Sequence, residues 1–89
     1  MTTERRAVPE QTNMTHGDLS ELIVKDVRRH AHCQTFESIT LYMLKDGQIP
    51  GVNWSVGPIN FGGADEASCD QALREVIPRM QRQYRLVER

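Results

Sequence analysis

The densest chemistry in this chain is the run His30, Ala31, His32 and Cys33, with His16 upstream and Cys69 far downstream. Zinc takes four nitrogen or sulfur ligands in a tetrahedron, and a His-x-His-Cys run could supply two or three of them. Paired spacing of the CxxC or HExxH kind is missing, so His30, His32, Cys33 and Cys69 are weak metal candidates and no cofactor is expected. On a helical wheel His30 shares the apolar face with Ile23 and Val27, where a hydrogen-bonded core histidine is the commoner outcome. Neither cysteine reads as a nucleophile, because a reactive thiolate needs a basic partner or a helix N-terminus. Cys33 is expected at a helix C-terminus, where the dipole has the wrong sign, and Cys69 lies among Glu66 and Asp70.

Gly62 and Gly63 before a helix start have the geometry that binds phosphate. A phosphate loop would continue into Lys-Ser/Thr, whereas Asp65, Glu66 and Asp70 follow here and would repel an anion. The best functional candidate is the C-terminal segment. Arg74, Arg82, Arg85 and Arg89 fall opposite a predicted apolar stripe, with Arg79 nearer its border, against only Glu75 and Glu88. Guanidinium forks suit phosphates and carboxylates, although basic residues late in a helix also simply complement its dipole. No Ser-His-Asp arrangement and no apolar-embedded carboxylate pair accompanies the three histidines, so the chain is read as non-enzymatic.

The elements that must carry these residues fit in one small domain. With 89 residues and 38% hydrophobic content the core is modest, and such a chain is marginal without help. Eleven basic residues against twelve acidic ones give a net charge of −1, which provides no global field for nucleic acid or anionic lipid. No apolar run approaches membrane-spanning length, so no membrane partner is expected. The first residues lack the apolar core of a secretory signal, which points to the cytoplasm and to Cys33 and Cys69 as thiols. The two could still touch, since each lies at the edge of a predicted helix.

Residues 1–14 lack periodicity and include Pro9; they are read as a flexible N-terminal arm, ahead of one α+β domain over 15–89. Thr15 and Asp18 form a capping-box-like start to a helix reaching about His32, with Leu19, Ile23, Val27 and Ala31 at intervals of four. From Phe36 the period changes to two, placing Ile39, Leu41 and Met43 on one strand face. Val52, Trp54 and Val56 alternate in the same way after a turn signal at Asp46 and Gly47. A tight turn there sets Leu41 opposite Val52, Ile39 opposite Trp54 and Thr40 opposite Asn53. Pro50 resists a tight turn, so the loop is expected over about 45–51 or with a bulge, and shifts by two residues keep the faces matched. Gly57 and Pro58 are expected to break the second strand, with Ile59 to Phe61 as a short extension or a plugging loop. Asp65 then caps a helix whose stripe is Cys69, Leu73, Val76, Ile77, Met80, Tyr84 and Val87, kinked at Pro78.

The expected fold is therefore α+β in the order helix–strand–strand–helix, an antiparallel hairpin with both helices packed on one face. The Asn53-to-Val56 stretch and the closing run Gln83 to Leu86 resemble short, uncharacterised alphaproteobacterial hypothetical proteins. That likeness covers the second half of the chain and implies no activity and no site. The element order is also superficially similar to double-stranded RNA-binding domains. Those have three strands and a basic start to the final helix, whereas Asp65, Glu66 and Asp70 make this one acidic. A two-stranded sheet has both outer edges open, which points to a homodimer formed through a strand edge or the helix faces. The expected function is a self-associating interaction module with an unknown protein partner. Its candidate surfaces are the strand edge, the arginine face and the polar sheet face of Ser38, Thr40, Tyr42, Asn53 and Ser55. Nucleic-acid binding through the arginines is the alternative.

Overall fold

The computed structural model describes residues 11–44 and 51–87, within which six elements follow one another. They are β1 (Thr12–Thr15), α1 (His16–Arg28), β2 (Ser38–Met43), β3 (Trp54–Asn60), α2 (Glu66–Gln83) and β4 (Tyr84–Val87). This is a small α+β fold with two helices and, among the described residues, two sheets of two strands each. β1 pairs in parallel with β4, and β2 pairs antiparallel with β3.

The helix starts follow from their caps. Thr15 is extended and its hydroxyl accepts the Asp18 N–H at 3.3 Å. Asp65 does the same for α2, accepting the Ser68 N–H at 3.0 Å and the Ser68 hydroxyl at 2.7 Å. Each cap satisfies a donor that the first helical turn cannot. On α1 the four-residue spacing buries Leu19, Ile23 and Val27 completely. The helix stops at Arg28 rather than near His32. Beyond it Arg28 Nε donates to the Phe36 carbonyl at 2.7 Å, and His32 takes a left-handed φ of 68° that turns the chain.

Two strands were not expected. Thr12 to Met14, assigned from sequence to the flexible arm, are a strand in register with β4, Thr12 opposite Tyr84 and Met14 opposite Leu86. The rest of that arm, residues 1–10, lies outside the described residues. At the other end the last helix stops at Gln83, where Tyr84 becomes extended while its N–H still donates to the Met80 carbonyl. The helix–strand–strand–helix order is therefore bracketed by a strand on each side. Helical spacing from Met80 to Tyr84 and Val87 masked the switch. A strand instead turns Leu86 inward, and Leu86 is only 4% exposed.

From Leu41 to Met43 the hairpin register lies four residues beyond the expected one. Leu41 faces Val56 instead of Val52, and Met43 faces Trp54. The even shift preserves the faces. Gly57 and Pro58 do not break the strand. A register irregularity between Ile39 and Leu41 absorbs them, so that Ile59 meets Ile39 and β3 continues to Asn60. A bulge is where a strand tolerates a proline that has no N–H to give. The turn predicted around Asp46, Gly47 and Pro50 lies outside the described residues.

One core unites these parts. Leu19, Ile23 and Val27 from α1 meet Cys69, Ala72, Leu73, Val76 and Met80 from α2, with Ile39, Leu41, Trp54 and Leu86 from the strands. Phe36 and Trp54 are its largest fully buried side chains, and truncating either to alanine in such a core costs about 3–5 kcal/mol.

Candidate functional site

Side chains hold the outward backbone groups of the strands. In an antiparallel pair alternate residues turn their backbone groups outward. The Leu44 N–H donates to the Asn53 carbonyl at 2.9 Å, so the next carbonyl, that of Trp54, faces away from β2. Gln81 Nε2 on α2 donates to it at 2.8 Å. On the opposite side of the hairpin, the Leu41 N–H donates to His16 Nε2 at 3.1 Å. β4 is held likewise. Trp54 Nε1 donates to the Tyr84 carbonyl at 3.0 Å, and the Asn53 amide bonds both the N–H and the C=O of Leu86. Asn53 thus stands in for a neighbouring strand and ties one sheet to the other.

Between β3 and α2 an apolar groove of about 510 Å³ stays open. Val56, Ile59, Leu73, Ile77 and Pro78 line it, with the Asp70–Arg74 pair and Gln81 at its rim. Val56, Ile59 and Ile77 are only partly buried although they pack directly on the core. The groove is therefore core surface that the hairpin, ending at β3, does not cover. The sequence stripe named Leu73 and Ile77 as core. What it could not show is that the sheet stops short of them.

The predicted arginine face does not exist as one helical surface, because α2 ends at Gln83. Arg74 lies 3.2 Å from Asp70, and Arg79 pairs with Asp26, whose side chain is only 17% exposed. Arg82 is exposed on α2 and Arg85 on β4, while Arg89 lies outside the described residues. Of the polar sheet face, Ser38, Thr40 and Tyr42 are exposed, whereas Asn53 turns toward β4.

The metal candidates divide. Cys33 and Cys69 are both fully buried as free thiols in the one core, where Cys33 lies close enough to act on the Cys69 thiol. Burial first, and the Cys33 thiol second, push the Cys69 thiol up to about 12. Cys33 stands in the turn beyond α1, not at a helix end. His32 is exposed and His30 half-buried, and no group of three or more His, Cys, Asp or Glu is placed to hold a metal among the described residues. Among the same residues no helix is long and apolar enough to cross a membrane.

His16 and Gln81 carry backbone-holding roles that sequence reasoning missed, and Asn53 was read only as a polar-face residue. An amide or imidazole shows its partner only once the chain is folded. Comparison of the chain with protein-family models, with curated proteins and with solved structures gives no match.

Proposed function

We propose that this protein is a non-enzymatic interaction module that self-associates through the groove between β3 and α2. The observation that carries this reading is the apolar lining of Val56, Ile59, Leu73 and Ile77, continuous with the core yet left open. A small domain with a modest core gains stability by burying such a surface against a second copy. A two-fold axis presents the same patch to itself, and the oppositely charged rim residues Asp70 and Arg74 could then pair between copies. Strand addition is the weaker route to a dimer, because His16 and Gln81 already hold outward backbone groups on the two hairpin edges.

Sedimentation equilibrium tests the reading. The expected result is a dimer mass for the native chain and a monomer mass for Ile77→Asp, while Met43→Asp, away from the groove, stays dimeric. A monomer mass at high protein concentration would overturn it. Nucleic-acid contact through Arg74, Arg79, Arg82, Arg85 and Arg89 has less support, since Arg74 and Arg79 already face carboxylates. Binding to generic duplex that falls steeply with salt would favour that alternative.

A further inference from the structure

Two loops meet at the end of the domain that carries Cys33 and Cys69. The turn after α1 and the turn before α2 are tied by the Asp65 N–H, which donates to the His32 carbonyl at 3.1 Å. They are tied again where the Phe36 and Phe61 rings meet edge to face at 5.8 Å. Cys33 follows His32, and the Cys69 N–H donates to the Asp65 carbonyl at 2.9 Å, one helical turn into α2. The same tie therefore fixes the backbone beside both cysteines. His32 adopts its left-handed φ of 68° at this tie, a conformation that a non-glycine residue keeps only when its surroundings impose it. Beneath the loops the two thiols are neighbours with no solvent exposure.

We propose that Cys33 and Cys69 are a modification site, oxidised by peroxide to an intramolecular disulfide that staples the turn after α1 to the first turn of α2. The balance is simple. The Cys33 sulfur attacks one peroxide oxygen, the O–O bond breaks, and Cys33 becomes a sulfenic acid while its proton passes to the departing oxygen to form one water. The Cys69 thiol then displaces that hydroxyl from the Cys33 sulfur, forming the S–S bond and a second water. Two sulfurs together lose two electrons and one peroxide gains them. Full burial favours an oxidant as small as hydrogen peroxide over a bulky disulfide, which has no room to leave a mixed adduct in the core. Burial also places the partner thiol where a sulfenic acid meets it before a second oxidant molecule does.

The test uses the native chain and hydrogen peroxide, followed by alkylation under denaturing conditions and peptide mapping. Lys45 lies between the two cysteines, so trypsin separates them and a disulfide shows as a joined peptide pair. The expected result is Cys33 linked to Cys69 within one chain, reversed by dithiothreitol. Its melting temperature is expected to rise by about 10 °C, because a cross-link over a loop of this length restricts the unfolded chain. Met43, 45% exposed, serves as an internal reference for peroxide exposure. Two free thiols after Met43 has become the sulfoxide would overturn the proposal. So would sulfinic acid at either cysteine, or a disulfide joining two chains.

Discussion

The side chain of Asn53 holds Leu86 by both of its backbone groups, donating from Nδ2 to the carbonyl at 2.8 Å and accepting the N–H on Oδ1 at 3.0 Å. Leu86 is buried, so losing these partners leaves two backbone groups poorly solvated. Asn53→Ala is expected to cost about 2–3 kcal/mol in urea unfolding, two hydrogen bonds with their desolvation penalty. Asn53→Asp keeps the acceptor but turns a carboxylate toward the Leu86 carbonyl, and it is expected to lose at least as much at neutral pH. An unchanged midpoint for both variants would show that the sheets are joined by packing alone.

His16 holds the outer side of β2 through the Leu41 N–H. Replacing it with alanine leaves that donor to solvent. The expected cost is about 1 kcal/mol, the net worth of one hydrogen bond. Amide exchange resolved by residue gives the sharper readout: protection at Leu41 is expected to fall by about tenfold, more than at the other β2 amides. Equal loss along the whole strand would mean that His16 acts through general stability instead.

Two glycines with positive φ are expected to differ in what they tolerate. At Gly62, φ is 61° and an added Cβ would sit 2.5 Å from the Thr35 carbonyl oxygen. At Gly51, φ is 76° but no atom lies within 4 Å of that position. Gly51→Ala is therefore expected to cost about 1–2 kcal/mol, the backbone term by itself. Gly62→Ala adds a clash with main chain and is expected to cost about 3 kcal/mol or more. Thermal unfolding of the two variants side by side checks the order.

The Ser68 hydroxyl, then the Ser68 N–H, and to a smaller extent His32, hold the Asp65 carboxyl below its ordinary value of 3.8. A carboxyl depressed in the folded state binds its proton more weakly there than in the unfolded chain. Its stabilising share is thus complete above the ordinary value and is lost as the pH falls through the folded one. Asp65→Asn keeps a capping oxygen but does not titrate. The melting-temperature advantage of the native chain over that variant is expected to be constant near neutrality and to shrink below 3.8. A gap that stays level down to the acid limb would assign the effect to the cap alone.

Local signals carried much of the fold. The caps at Thr15 and Asp65, the buried stripe of α1 and the paired strand faces all depend on neighbours within a few residues, where spacing suffices. Missing were features set by distant parts of the chain. β1 is a strand because β4 lies beside it, and no run of four residues announces so remote a partner. The register of β2 and β3 depends on the length of the connection between them, and the irregularity that admits Pro58 adds one more residue to the offset beyond Leu41. Of the candidate sites, the two cysteines were legible as core residues that could touch. The arginine face dissolved because its premise, one helix through Val87, failed at Gln83. The groove was invisible because its existence depends on where the sheet ends.

The pairing of Thr12–Thr15 with Tyr84–Val87 makes the domain a clasp closed by segments from opposite ends of the sequence. Nearly the whole chain must be threaded between them before this pairing can form, so its closure entropy is spent last, after the helices and hairpin have assembled locally. The same geometry couples the two ends in failure. Cutting away either segment would strip its mate of a hydrogen-bonding partner, so trimming one terminus would unravel the other.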